Sequence, residues 1–396
     1  GIPRGELEPV AKRGDSESRS APLGELVGLD WDDTTESLFL ADQGTGLVRW
    51  LRLNHASPGV HWVFDYAGLQ ESGFSVGAVE STQLDRPDGL DVWVDPETDE
   101  EVMFVADIGN DVILEVRDGL VGRIAGQPGV DVAAGDGGPA IDSSLRSPTS
   151  ISVGDNGDIY FLEAYRIRRI RDGIIETIIG DGVQGFSPDG TPAVEAQLNR
   201  PREIRISPDG TSLFFTEGEG LGVLRRLPII DGEPQAVITL AGGGDAPLSQ
   251  GSNALSVQLA GLESLWLEGD DIYLTLDTDG TLVRLTPEGT LDIVASEDGQ
   301  FGAGSEDVVL LPESPRAVAI DPWGTIHVLC DNYALYQLRD GFSLRIMGVP
   351  EQATYLRDKG PASELNLGIS TSLTFNRNNE LLFDSSTNHI IRALRF

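Results

Sequence analysis

The chain has 396 residues, 40% of them hydrophobic, with 48 Gly, 22 Pro and a formal net charge of −36. That much apolar residue can bury a large core, while the Gly and Pro content excludes a fold of long helices and requires short strands with frequent turns. So acidic a surface repels phosphate backbones and anionic lipid, which excludes nucleic acid as a partner, and no apolar run reaches the length of a membrane span.

Cys330 is the single cysteine. It rules out an intramolecular disulfide and reads as a small core residue of the strand Ile326-His-Val-Leu-Cys330. The chain begins at Gly1 without Met, as a processed or excised product would.

Taken from the N-terminus, Glu6-Leu-Glu-Pro-Val-Ala11 reads as a strand of outer-edge type, because Pro9 is tolerated where one edge of a strand is free. A repeated cassette follows. A Leu is followed six residues later by the first core residue of an alternating strand, often with Pro between them. The pairs are Leu23/Leu29, Leu84/Leu90, Leu145/Ile151, Leu198/Ile204, Leu259/Leu265, Pro312/Val318 and Leu367/Leu373. The second members are spaced by 61, 61, 53, 61, 53 and 55 residues.

Each unit reads as four strands. The unit from 84 gives Leu90-Asp-Val-Trp-Val, Val102-Met-Phe-Val-Ala, Val112-Ile-Leu-Glu-Val and Leu120-Val-Gly-Arg-Ile. In the next unit, Asp-Asn-Gly at 155–157 and Asp-Gly at 172–173 supply the hairpin turns. The last unit has three strands, Ser372-Leu-Thr-Phe, Leu381-Leu-Phe and Ile390-Ile-Arg-Ala-Leu, and lacks a fourth. The N-terminal segment offers it.

The pattern predicts an all-β fold, a single β-propeller domain spanning 1–396. It has seven four-stranded blades starting near 23, 84, 145, 198, 259, 312 and 367. Residues 1–20 close the ring by completing the last blade. Alternation places the residues flanking each core landmark on the channel side. Most are small, with Asp30, Asp91, Glu203, Arg205 and Trp266 as exceptions.

These motifs resemble the NHL-repeat family of β-propellers in its bacterial, exported form. The residues that carry the resemblance are Ala125-Gly126, Gly135-Asp-Gly-Gly-Pro-Ala140, Gly185-Phe-Ser-Pro-Asp-Gly-Thr-Pro-Ala193, Gln197-Leu-Asn-Arg-Pro201, Phe104-Val-Ala-Asp107 and Asn388-His-Ile-Ile-Arg392. The match is densest over 84–245. The resemblance implies a propeller used as a binding scaffold, a sensor head or, in some members, an enzyme. It also implies a periplasmic, cell-surface or secreted location. Well-known members have six blades, whereas the landmark arithmetic gives seven.

Several residue sets suggest sites. An acid closes the second strand of every unit (Asp42, Asp107, Glu163, Glu217, Asp277, Asp331, Asp384). Such a ring could hold Ca²⁺, but side chains accepting hydrogen bonds from their own turns explain it better. At the channel mouth stand Asp88, Thr149, Arg202, Glu263 and Arg316, with Glu203 beside them. Arg202 and Arg316 could hold a carboxylate, or pair with the acids around the rim.

Gly73-Phe-Ser-Val-Gly77 has the form of a nucleophile elbow but lies in a repeat loop. Asp277-Thr-Asp-Gly280 lacks the distal Glu of a calcium loop. His55, His61, His327 and His389 give no convergent zinc set.

The expected function is a non-enzymatic scaffold that binds a protein or glycan through its loop face, with no catalytic residue, metal or cofactor assigned. The alternative is a Ca²⁺-dependent, lactonase-like hydrolase with its site in the channel.

Overall fold

The computed structural model describes residues 72–218, 222–297, 308–331, 334–339, 342–347, 372–376, 380–385 and 390–394, together with the backbone of the strands Glu8–Lys12, Leu26–Asp32, Ser37–Asp42, Leu47–Arg52 and Val63–Ala67. The strands assemble into sheets whose order follows the chain, each a run of antiparallel hairpins. Five blades between Pro87 and Met347 are each contiguous in sequence. Their inner strands are Pro87–Val94, Pro148–Val153, Ile204–Ile206, Leu262–Glu268 and Pro315–Ile320. A further blade is made from both ends of the chain. Leu373–Phe375, Leu381–Ser385 and Ile390–Leu394 are completed by Val63–Ala67, with Ile391 opposite Ala67 and Leu394 opposite Val63.

Each inner strand touches the next, and Leu373–Phe375 returns to Pro87–Val94. The buried apolar residues tell the same story, because the core is divided into clusters that each straddle one joint between blades. Leu90, Met103 and Leu114 pack with Leu382 and Ile391 across the joint between the end of the chain and the first contiguous blade. Phe104 and Ile113 pack with Ile151 and Phe161 across the next. Tyr160 and Ile178 pack with Ile204 and Phe215. Leu224 packs with Leu265 and Leu274, Leu282 with Val318 and Val328, and Ala317 and Leu329 with Leu373 and Phe383. A blade has two apolar faces, so stability resides in these joints, and closing the ring leaves no apolar face open.

One sequence expectation is met in part and one is corrected here. The fold is an all-β propeller with seven sheets, but the count of seven blades in the ring is not confirmed, because this cycle of joints does not pass through one of them. Strands Glu8–Lys12, Leu47–Arg52, Ser37–Asp42 and Leu26–Asp32 form a sheet of their own. Its strand Leu26–Asp32 touches Val63–Ala67 and the turn Val79–Ser81 instead of entering the cycle. The strand that completes the last blade is therefore Val63–Ala67, while Glu8–Lys12 pairs with Leu47–Arg52. Unit spacing is blind to this difference, since a four-stranded unit has one length inside the ring or beside it.

The long segments between blades have a structural task. Gly77–Ala78 pairs with Leu120 and Val121, Pro139 with Ile174, and Ser252–Asn253 with Leu291 and Thr290. Each segment thus lies along the outer edge of the blade it leads into. There it occupies backbone groups that an exposed edge would offer to another chain.

Candidate functional site: the mouth of the axial channel

The core landmarks Leu90, Ile151, Ile204, Leu265, Val318 and Leu373 are all buried. Their neighbours therefore face the axis in layers, as alternation requires. Gly89 stands where a side chain has no room, because a Cβ there would lie 2.7 Å from Ser150 Cα. Hydroxyls stitch successive inner strands together. Ser150 Oγ accepts from Ile204 N at 3.0 Å and Ser152 Oγ from Ile206 N at 3.1 Å. Thr216 and Thr275 do this from the second strands. Thr275 Oγ1 accepts from Ser264 N at 3.0 Å and donates to Arg316 O at 3.1 Å, reaching the following blade.

Charge fills the middle of the axis. Arg205 Nη2 lies 3.4 Å from Glu203 Oε1, and its guanidinium sits over the Trp266 ring at 5.6 Å. Ser150 Oγ donates to Glu203 Oε1 at 3.2 Å. Asp91 accepts from Val153 N at 2.8 Å and Val92 N at 2.9 Å. Burial pushes the Glu203 carboxyl up to about 7, against the opposing pull of Arg205 and the Ser150 hydrogen bond. Asp91 is raised for the same reason. Four of the five channel residues singled out in the sequence thus lie on the axis. The fifth, Asp30, is on the separate N-terminal sheet, and its side chain lies outside the described residues.

Above this layer a cavity of about 220 Å³ opens at the end where the inner strands begin. Asp88, Thr149, Arg202, Glu263 and Arg316 line it, with Glu203 and the small residues Ser150, Ser264 and Ser372 below. The five mouth residues Asp88, Arg202, Glu203, Glu263 and Arg316 are therefore brought together.

They do not form the carboxylate clamp considered from the sequence. Glu263 accepts from Arg202 Nη1 at 2.7 Å and also feels the charge of Arg316. The position between the two arginines is thus already held by a carboxylate of the protein. Arg316 Nε in turn donates to Asp331. Burial raises the Glu263 carboxyl, and Arg202 opposes the shift. Ser372 Oγ donates to Asp88 O and ties the last blade to the first.

Of the acids that end the second strands, three fasten turns in the same way, Asp384 accepts from Ser372 N, Asp331 pairs with Arg316, and the side chain of Asp42 lies outside the described residues. Asp107 accepts from Asp85 N, Glu163 from Arg146 N and Glu217 from Asn199 N, at 2.8, 2.7 and 2.8 Å. Each donor is the residue just after the repeat Leu. The next residue in each case, Arg86, Ser147 or Arg200, has a left-handed backbone with φ of 56°, 47° and 53°. The carboxylate therefore fastens the sharp turn that delivers the chain to the inner strand. Among the described residues no three His, Cys, Asp or Glu converge on a point that could hold a metal. An axial Ca²⁺ cage does not fit, because the Arg205 guanidinium occupies the space beside Glu203.

The remaining motifs are local structure. Ser75 Oγ accepts from Gln83 N at 2.8 Å and donates to Ser81 O at 3.1 Å, which locks a loop followed only by the single 3₁₀ turn Val79–Ser81. Asp277–Gly280 is a turn closed by Gly280 N on Asp277 O at 3.2 Å. His327 is buried against Asp321 at 3.3 Å. His55, His61 and His389 lie outside the described residues. Cys330 is buried, and burial raises its thiol. No helix among the described residues is long and apolar enough to cross a membrane.

Sequence reasoning missed Arg168 and Arg225, each about 1% exposed on a third strand. Their signal was present as a basic third residue of the third strand, preceded by Tyr165 or Gly222, in units whose loop carries Asp136 or Asp189. It was read only as strand alternation.

Fold and axis define an all-β propeller with a polar cavity at one mouth. The family model for the teneurin NHL domain matches residues 76–186. Mouse teneurin-1 is 26% identical over 219 residues, covering 49% of this chain and 8% of that protein. Chicken teneurin-1 is 34% identical over 109 residues, covering 25% of this chain and 4% of that protein. The chain thus spans less than a tenth of the length of these relatives.

Among solved structures, a Bacteroides thetaiotaomicron protein of unknown function superposes with a TM-score of 0.56 at 12% identity, over 90% of this chain and 87% of its own. A gluconolactonase from Xanthomonas campestris gives 0.50 at 14% identity, over 86% and 93%. At such identities the likeness is one of fold. Over residues 76–186 the chain is similar to the teneurin NHL domain, in line with the NHL-repeat resemblance of its motifs.

Proposed function

We propose that this propeller is a non-enzymatic binding scaffold that captures a protein or glycan partner at the axial mouth. We place it outside the bacterial cytoplasm, in the periplasm, at the cell surface or in the medium. One observation carries the reading. The charged groups around the 220 Å³ cavity are held in pairs by the fold, yet Arg202 and Arg316 remain 47% and 43% exposed. Both side chains line the cavity. Of the groups lining the cavity, the Ser150 and Ser372 hydroxyls hold neighbouring strands together and Glu263 is bonded to Arg202, which suits a built frame better than a set of reacting groups. The working body on this reading is the cycle of six blades, with the sheet of residues 8–52 appended to it.

The test is partner capture by immobilised protein carrying Arg202→Ala and Arg316→Ala together. Loss of capture with an unchanged melting transition supports the mouth as the site. Undiminished capture moves the site elsewhere.

A second reading, a hydrolase of the lactonase type, is favoured by one observation. Glu203 lines the cavity with its carboxyl pushed up to about 7, within the range of a general acid or base at neutral pH. Lactone hydrolysis abolished by Glu203→Gln would establish it. Elemental analysis for metal, before and after chelation, is its companion measurement.

A further inference from the structure

The chemistry of the mouth narrows what it can hold. Every guanidinium at or under the cavity has a carboxylate beside it. Arg202 is bonded to Glu263, Arg316 to Asp331, and Arg205 lies against Glu203. A cationic ligand would draw a carboxylate away from its arginine, and an anionic ligand would draw an arginine away from its carboxylate. Either leaves one member of a half-buried pair without its partner, at a cost comparable to what the ligand's own charge contributes.

A neutral hydroxylated ligand does neither. Each of its hydroxyls accepts from a guanidinium N–H and donates to a carboxylate oxygen, so it adds to the pairs without parting them. The donors are present, since Arg202 bonds Glu263 through Nη1 and Arg316 bonds Asp331 through Nε, while both side chains line the cavity and stay nearly half exposed. Thr149 and Ser264 add hydroxyls to the wall.

Size and surface agree. The cavity holds about 220 Å³, below the roughly 300–1,000 Å³ of sites that take drug-sized ligands. One pyranose-sized ring is the scale of occupant it accepts. Among the lining residues Pro201 is the sole apolar side chain, and Trp266 lies deeper, under Arg205. An apolar anchor from a protein partner therefore has no pocket here, whereas a ring polar around its whole edge does.

We infer that the axial mouth is a saccharide subsite that takes one neutral sugar ring, read through paired guanidinium and carboxylate groups. This rests on the mouth being the binding site.

The experiment is saturation-transfer NMR and titration of the whole chain with neutral monosaccharides (glucose, galactose, mannose), each set against its uronate and its 2-amino counterpart. The expected result is contact from at least one neutral sugar, with both charged counterparts at least about tenfold weaker. Thr149→Trp, which fills the cavity from its rim, should abolish that contact. Binding by a uronate or amino sugar that equals or exceeds its neutral parent overturns the inference, as does no contact from any neutral sugar. The wild-type comparison needs no variant, so a poorly folding Thr149→Trp does not remove the test. Partner capture blocked by Thr149→Trp without any neutral-sugar binding would sink the saccharide assignment and leave the mouth as the site. Sugar binding that survives Thr149→Trp would sink both.

Discussion

Arg168 donates through Nη1 to Glu163 at 2.9 Å, with the arginine side chain 1% and the glutamate 0% exposed. The other oxygen of Glu163 accepts from Arg146 N at 2.7 Å, and Arg168 Nη2 reaches Asp136 of the inter-blade segment at 2.6 Å. The next blade repeats this arrangement. Arg225 bonds Glu217 at 2.9 Å, Glu217 accepts from Asn199 N at 2.8 Å, and Asp189 lies 3.5 Å from Arg225. One guanidinium thus locks the turn into the inner strand and the segment along the outer edge of the same blade.

Removing that arginine should be costly. Arg168→Ala leaves Glu163 buried with one backbone partner, no bonded counter-charge and only the weaker field of Arg166, a loss of about 3–5 kcal/mol. Asp136→Asn, at a half-exposed position, should cost about 1 kcal/mol. The midpoints of urea unfolding for the two variants should fall in that order. Equal midpoints would show that the buried pair does not organise the blade.

How much of this was legible in the sequence can be judged residue by residue. The landmarks Leu90 to Leu373 are all core, because alternation and a fixed offset from a buried Leu leave no other arrangement. Among the described residues the offset fails once, where Leu311 is buried in place of Pro312, which is exposed. The mouth was legible because strand register alone brings Asp88, Arg202, Glu263 and Arg316 to one end. What they do there was not, because whether Arg202 faces a ligand or Glu263 depends on side-chain reach between blades. The role of Arg168 was hidden for a similar reason, since its partners Glu163 and Asp136 are 5 and 32 residues away.

Gly89→Ala tests how tightly the axis is packed. The new methyl would meet Ser150 Cα at 2.7 Å and Ile151 N at 2.8 Å. Both are backbone atoms of the adjacent blade, so relief requires the inner strands to part. Destabilisation of about 1–3 kcal/mol is expected, together with weakened ligand binding at a mouth bounded by Asp88 and Ser150. An unchanged melting transition would show that the joint has slack.

Glu203 gives the protein a pH dependence of defined sign. Its carboxyl is raised to about 7 in the fold, above the ordinary value of 4.5. Between those values the native state holds a proton that the unfolded chain has released, so stability falls as pH rises through this window. Glu203→Gln should flatten that part of the profile. His327 acts in the opposite direction at the acid end, because burial lowers its pKa and the unfolded chain takes up a proton first. Chemical denaturation from pH 4.5 to 8, wild type against Glu203→Gln, reads the difference directly. Parallel profiles would remove Glu203 from the account.

Cys330 should resist thiol reagents while the chain is folded. The side chain is 2% exposed in the joint between two blades, with the thiol raised by burial. The thiolate is the reactive form and the site admits no reagent. Labelling by an aromatic disulfide should therefore proceed at the rate at which the blade opens, and adding denaturant should accelerate it in step with unfolding. Fast labelling in buffer would mean that this joint opens on its own.

The closing strand is tested by two truncations. Val63–Ala67 pairs with Ile390–Leu394, whereas Glu8–Lys12 pairs with Leu47–Arg52 in the sheet outside the ring. A chain starting at residue 60 keeps the first pairing and loses the second. A chain starting at residue 72 loses both and bares the edge of Ile390–Leu394, in a blade whose Leu382 and Ile391 support the joint to Leu90 and Met103. The shorter chain should melt at lower temperature and self-associate through the open edge. The chain from residue 60 should keep the melting transition of the propeller. If truncation to residue 60 lowers the transition as far as truncation to 72, the N-terminal sheet, and not Val63–Ala67, holds the ring shut.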